Sequence, residues 1–379
     1  MQKRIWNFTK KAFSRLDPIL LTCTLLLSFL SIITIIGAVD NFGKSKLVMQ
    51  VAMTFMGIVM TVVVANIDYE KLVDKLWLIM IIGSVALLGI TLIFGNSGAS
   101  RDTANQSWLM IPFINISIQP SEFVKITFIC TFAKHLSAVK EKINHPKTLA
   151  LLALHAGAIV GLILLSGDLG VALVYVSVIA LMLFCNGLSL WYFLGAAAVV
   201  ALLSPFIWEF LSDYQQARII YGFQPELDPE IYGFQPLLSR TAIASGGLFG
   251  KGVFGGSYYE ILPASHTDFI YATVCEKFGY VGGVFVMAVL IVMVVRLISV
   301  SLKARKQMGA LICLGIAAVI IVQTLENIGM CLAMLPVVGI TLPFLSCGGS
   351  SMLATLILIG LAHSVASHNK KYYFERESD

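Results

Sequence analysis

An all-α, polytopic membrane protein with about ten transmembrane helices is the fold class this sequence predicts. Three observations predict it. Of 379 residues, 58% are hydrophobic and 12% charged, roughly half the charged share of a soluble domain. Apolar runs long enough to cross a hydrocarbon core of about 30 Å, which takes about 20 helical residues, recur along the whole chain. Lysine and arginine, finally, gather on alternate connections between those runs. No soluble domain fits between the runs, so residues 1–379 are expected to form a single membrane domain.

The first segment, "MQKRIWNFTKKAFSRLDPILL", is basic and leads into a long apolar run without a small-residue cleavage site. It reads as an uncleaved first span. The ten runs are Ile19 to Val39, Leu47 to Asn66, Leu76 to Phe94, Pro120 to Leu136, Leu149 to Leu165, Leu169 to Cys185, Leu190 to Trp208, Phe269 to Leu297, Met308 to Leu332 and Ser350 to His368. Only "SGDLG" separates the fifth from the sixth, which implies a tight hairpin. With the N-terminus placed in the cytoplasm, 18 Lys and Arg fall on that side and 6 on the other. Basic residues in short loops resist translocation, so both termini are expected inside.

One external connection, about 210–267, is much longer than the rest. Connections of that length are usually functional or disordered, and this one is too aromatic and too poor in charge for disorder. It carries "YGFQP" twice, at Tyr221 to Pro225 and Tyr232 to Pro236, and the glycine-rich "ASGGLFGKGVFGGSYYE". The two pentapeptides read as similar turns, and the glycines as tight turns before phosphate contacts. All seven cysteines lie in or beside apolar runs without metal-ligand spacing and are expected to be packing residues.

Ionisable residues within spans cost a few kcal/mol or more, so they face a partner, a cavity or a substrate path. Glu122 and Lys125 stand three apart at the start of the fourth span, on one helix face; an internal ion pair at a helix start explains them without function. Asp168, between two glycines, suits a turn or the cap of the following helix. Glu276, Lys277 and Glu326 each require a partner. Asp268, in "ILPASHTDF", sits at the water edge two residues after His266. Either Thr267 or Asp268 caps the eighth span, or Asp268 is a rigid, partly desolvated carboxylate suited to general-base work. Glu260, beside Tyr258 and Tyr259, is a candidate second acid.

Taken together, "QPSEFVKI" at Gln119 to Ile126, "GDLG" at Gly167 to Gly170, "ASGGLFGKG" at Ala244 to Gly252, "LPASHTDFIYA" at Leu262 to Ala272 and "MLPVVGITLPFLSCGGSS" at Met334 to Ser351 resemble the SEDS family of shape, elongation, division and sporulation proteins. They occur in family order over nearly the whole chain. The resemblance implies a peptidoglycan glycosyltransferase that joins the disaccharides of lipid II on the outer face of the bacterial cytoplasmic membrane. It also implies a class B penicillin-binding protein as transpeptidase partner, membrane lipids as surroundings and no nucleic acid. "DYQQARI", "LFGKG", "NIGM" and "LPVVGI" are more similar to the elongation member RodA than to the division member FtsW.

By motif, the resemblance makes Asp268 the catalytic acid residue. It makes Gln119, Glu122, Lys125, Asp168, Glu260, His266 and Thr267 substrate-binding or activity-supporting, together with Arg101 and Lys251. The chain departs from the family with "SGDLG" for "PDLG", Ala264 in "LPA" for "LPE", Cys347 in "SCGGSS", and a loose spacing of Arg101 and Trp108. Inversion at an axial diphosphate needs a base for the acceptor hydroxyl and a counter-charge for the leaving group. The counter-charge is left open among Lys125, Arg101, Arg218, Arg240, Lys251 and a divalent cation, Mg2+ or Mn2+. Two other readings stand beside this one, a lipid II flippase or other polyprenyl-lipid transporter and a scaffold that only recruits a wall synthase. The halves of the chain lack the internal similarity common in transporters.

Overall fold

The computed structural model describes residues 15–96, 106–111 and 116–376. Among them are fourteen α-helices: α1 (Pro18–Ile36), α2 (Val39–Phe42), α3 (Lys44–Asn66), α4 (Tyr69–Phe94), α5 (Pro120–Ala138), α6 (Pro146–Leu165), α7 (Leu169–Cys185), α8 (Leu190–Phe210), α9 (Asp213–Phe223), α10 (Phe234–Ser245), α11 (Tyr258–Ile261), α12 (Ile270–Leu302), α13 (Gln307–Cys331) and α14 (Gly349–Arg376). Each of the ten predicted runs is one of these helices. Eight are long and apolar enough to span a membrane by length and composition. The other two fall short for identifiable reasons: α7 has 17 residues, and α5 carries Glu122, Lys125 and Lys134. A short antiparallel hairpin, β1 (Leu109–Ile111) with β2 (Ile116–Ile118), joins α4 to α5 and interrupts the all-helical expectation.

The centre of the bundle is α13 and α14, whose spanning windows are 72% and 83% buried. Surrounded by other helices, they bury residues all round, mostly apolar but with polar ones such as Gln323, Asn327 and Ser364 among them. Around them pack α3 against α14, α12 and α7 against α13, α4 against α5, and α1 against α12. Interhelical hydrogen bonds supplement dispersion: Thr61 Oγ1 donates to the Leu356 carbonyl at 2.7 Å, and Tyr175 to the Ser121 carbonyl at 2.7 Å. By contrast α8 has no buried residue and stands against the bundle's edge. Its backbone needs no neighbour, because every bond of a helix is made within the segment.

At the end holding the first residues of α1, Asp17 ties three helices. Its carboxylate caps α1 through Ile19 and Leu20 and pairs with Arg296 of α12, while its backbone N–H donates to His363 of α14 at 2.9 Å. Burial pushes this carboxyl up, but the Arg296 hydrogen bond, the Leu20 N–H and the nearby charges outweigh it and hold the group below its ordinary range. Six cysteines are buried as expected, whereas Cys185 is exposed at the end of α7.

The long connection at the other end is structured, as its composition predicts, and helices α9, α10 and α11 make up nearly half of it. The two YGFQP copies are not similar turns, however. The first ends α9, and the second begins α10; their tyrosines, Tyr221 and Tyr232, stack with ring centres 5.6 Å apart. The glycine-rich segment serves turns. Its backbone docks on α12 where Gly279, at φ +69°, breaks the helix, a conformation open mainly to glycine. Lys251 and Gly252 N–H groups take the carbonyls of Glu276 and Lys277 that the break frees, each at 3.0 Å.

Candidate active site

The start of α12, the start of α7, helix α9 and the segment between α13 and α14 converge at the long-connection end of the bundle. Asp268 lies just before α12 and is half-buried. It does not cap the helix, and neither does Thr267: the first turn of α12 has no side-chain cap. The backbone instead closes on itself, with Thr267 and Phe269 N–H groups donating to the Ala264 carbonyl at 3.0 and 3.1 Å. This turn puts Ala264 at φ +54°, a left-handed conformation costing about 1–2 kcal/mol for a residue with a Cβ. The capping reading of "HTD" is therefore corrected; the carboxylate is left free of local backbone.

The α13–α14 segment fixes the Asp268 backbone. Asn327 of α13 donates from Nδ2 both to the Asp268 carbonyl at 2.6 Å and to the Ile340 carbonyl at 2.7 Å. Ser346 donates to the Thr267 carbonyl at 2.7 Å, and the Cys347 N–H to the His266 carbonyl at 2.8 Å. Gly339, at φ +73°, runs beside the carboxylate. A Cβ there would lie 3.4 Å from Asp268 Oδ2 and 3.9 Å from Arg218 Nη2, so a bare backbone keeps the space over both groups open.

Burial pushes the Asp268 carboxyl above its ordinary range; the Arg218 guanidinium and the Thr267 hydroxyl pull it down, and Asp168 pushes it further up. A carboxylate raised in this way is a stronger base, and a nearby cation favours its ionised form. Arg218, on α9, is that cation, and it lies over the Tyr214 ring at 5.0 Å. Of the candidate cations among the described residues, it is the one the fold brings to Asp268. Lys125 is engaged by Glu122 at 2.9 Å, both side chains buried, as the three-residue spacing requires. Arg240 pairs with Glu226, and Arg101 lies outside the described residues.

Asp168 is both cap and site residue. Its Oδ1 accepts the Val171 N–H at 3.0 Å, and its Oδ2 accepts Gln119 Nε2, also at 3.0 Å. Burial raises its carboxyl, Glu122 adds to the rise, and the hydrogen bonds oppose it. Gln119 thus links the start of α5, with its Glu122–Lys125 pair, to the start of α7.

His266, Glu260 and Lys251 face other tasks. His266 lies against Phe42 with ring centres 5.0 Å apart, and burial, helped by Lys46, lowers it to about 4. It is neutral at physiological pH and shapes the wall without carrying charge. Glu260 is exposed and bears on Tyr259; no contact with Asp268 is found among the described residues. Lys251 lies over the Tyr258 ring at 5.0 Å and 3.7 Å from Glu276. Arg218, Asn327, Gly339 and Ser346 complete the site from distant parts of the chain. Their sequence signals were the "DYQQARI", "NIGM", "LPVVGI" and "SCGGSS" segments, which local spacing does not connect to Asp268.

Among proteins of known family, residues 14–371 match the family model for cell cycle proteins of the FtsW, RodA and SpoVE type. The chain is 33% identical over 376 residues to the peptidoglycan glycosyltransferase MrdB of Escherichia coli K12, covering 96% of this chain and 98% of that one. It is 31% identical over 375 residues to the probable peptidoglycan glycosyltransferase FtsW of Geobacter metallireducens, covering 95% and 97%. A solved chain from a peptidoglycan synthase complex, described as coordinating polymerization and crosslinking, superposes with a TM-score of 0.80 at 27% identity, covering 93% of this chain and 98% of that one. The rod shape determining protein RodA of Thermus thermophilus superposes at 0.69 with 25% identity, covering 94% and 98%. With the family model spanning nearly the whole chain and these relatives matching end to end, the protein belongs to the FtsW, RodA and SpoVE family of polytopic membrane proteins.

Proposed function

We propose that the protein is a peptidoglycan glycosyltransferase that polymerises lipid II by an inverting displacement, with Asp268 as general base. The observation that carries the reading is the meeting of Asp268 and Arg218 beneath the bare backbone of Gly339, at the edge of the bundle. The acceptor hydroxyl gives its proton to the Asp268 carboxylate as its oxygen bonds to the anomeric carbon. The bond from that carbon to the diphosphate breaks on the opposite face, turning the axial linkage into a β-1,4 bond. A positioned base of this kind contributes roughly 10²- to 10⁴-fold. Arg218 offsets charge on the departing diphosphate, and Asp168, held by Gln119, tunes Asp268 from the side.

Asp168 and Asp268 also offer the hard oxygen donors that Mg2+ or Mn2+ takes beside a substrate diphosphate. Such an ion would neutralise leaving-group charge; among the described residues no third acidic, imidazole or thiolate group joins them.

The basic-residue bias supports an orientation with both termini in the cytoplasm and this site on the outer face of the bacterial cytoplasmic membrane. An elongation role is supported by the RodA-like segments and by the likeness to MrdB, beside which a division relative is almost equally similar. The synthase-complex neighbour supports a crosslinking partner, for which a class B penicillin-binding protein is our reading. The test is polymerisation of purified lipid II in proteoliposomes, with and without that transpeptidase. Glycan strands are the expected product, whereas lipid II scrambling without polymer would replace the enzyme reading with that of a carrier.

A further inference from the structure

At the opposite end of the bundle, α4, α5 and α6 enclose a cavity of about 480 Å³ that the proposed reaction does not use. Its volume falls in the range of small-molecule and lipid sites, about 300–1,000 Å³. It runs along the helix axes from Ala138 to Phe128 on α5, ten residues or about 15 Å. Its mouth is lateral, where Trp77 and Leu154 are exposed. Its ionisable side chains gather in one half, among apolar ones, while the other half is apolar but for Ser84. Val85, Phe128 and Ile159 line the deep half, while Lys134, His135 and His155 line the half nearer the end of the bundle.

The polar half carries two unused valences. Lys134 Nζ lies 2.8 Å from Asp74 Oδ1 and 3.4 Å from the Asp74 carbonyl, and 5.6 Å over the Trp77 ring, which leaves one of its three donors. With the Thr131 hydroxyl donating to the Phe128 carbonyl at 3.2 Å, His155 Nε2, 3.4 Å from Thr131 Oγ1, takes the donor role in the tautomer this arrangement selects. His155 Nδ1 then accepts from His135 Nδ1, 3.2 Å away. This leaves His135 Nε2 as a lone-pair acceptor with no partner among the described residues. The cavity therefore offers one cationic donor and one neutral acceptor above an apolar slot parallel to the membrane normal.

We propose that this cavity holds one acyl chain of an anionic phospholipid whose headgroup also donates a hydrogen bond, of the phosphatidylglycerol type. The chain lies against Phe128 and Ile159, Lys134 takes the phosphate, and His135 Nε2 accepts a headgroup hydroxyl. Surface lysines on the same flank, Lys71, Lys75, Lys140 and Lys142, add attraction for an anionic leaflet.

Native mass spectrometry of the delipidated full-length chain, offered phosphatidylglycerol and phosphatidylcholine with identical chains, tests this. One phosphatidylglycerol should be retained in preference. Ala158→Phe should lower retention of both lipids by about tenfold or more, because several buried methylenes lose their contacts. Lys134→Gln should keep the chain but lower the phosphatidylglycerol preference about fivefold. Val85→Phe fills the cavity from the opposite wall should Ala158→Phe not fold, and both should leave lipid II polymerisation within about twofold, since neither touches the Asp268 site. Equal retention by native and filled variants would overturn the site. Displacement by glycerol phosphate would overturn the acyl-chain anchor, and preferential retention of a polyprenyl phosphate would overturn the assigned occupant.

Discussion

Asp268 and Glu276 stand eight residues apart on one stretch of chain, at the same end of the bundle, and meet their surroundings differently. Glu276 accepts three backbone N–H groups, from Ser257, Tyr258 and Tyr259, at 2.8 to 2.9 Å, with Lys251 3.7 Å away. Its neighbour Lys277 donates to the carbonyls of Gly37, Val253 and Gly255 over the Tyr259 ring. Both charges are fully buried, and both fasten the long connection to α12. Asp268 has its backbone held by Asn327, but its carboxylate, on a half-buried residue, takes no backbone N–H among the described residues and stands beside Arg218. A charge in a membrane segment is thus no functional sign by itself; what separates the two is whether the structure uses up its hydrogen-bonding capacity.

Substitution separates the two roles. Lys277→Met should cost about 3 kcal/mol or more, because three buried carbonyls lose their donor, and Glu276→Gln should be comparably destabilising. Thermal unfolding in detergent measures this, with polymerisation falling only as the folded fraction does. Arg218→Gln should leave the fold intact and lower polymerisation by roughly 10²-fold. It should also move the acid limb of the pH–rate profile upward, because Arg218 holds the Asp268 carboxyl down. Asp168→Asn should move that limb the other way, since Asp168 raises Asp268, with a rate change under about tenfold; the amide carbonyl can still cap α7. The smallest expected effect is Ala264→Gly, which relieves a left-handed alanine and should add at most about 1 kcal/mol after the entropy of the unfolded glycine is subtracted.

The spans were legible in the sequence because lipid imposes a length and an apolarity that no tertiary contact can override. The Glu122–Lys125 pair and the Asp168 cap were legible because both depend on spacing within one helix or turn. The rest depends on closure between distant segments. Arg218, 50 residues before Asp268, and Asn327, 59 after it, meet it only once α9 and α13 are packed. The partners of Glu276 and Lys277 come from backbone, which carries no residue-type signal. Thr267 fails as a cap for a local reason: the Ala264 carbonyl already takes the Phe269 N–H, one of the two that a Thr267 cap would accept.

Asp268 is kept basic at the expense of stability. Its carboxyl is raised in the folded state, so the native protein binds more protons than the unfolded chain between the two values. Stability falls as pH rises through that interval, and the penalty is complete once the folded-state carboxyl has ionised. Asp268→Asn, assayed for both lipid II polymerisation and thermal unfolding at neutral pH, is the most direct measurement. A variant that loses polymerisation by about 10²-fold or more while unfolding at a higher temperature is the predicted result. Near-parental polymerisation, or a lower unfolding temperature like that of Glu276→Gln, would contradict it.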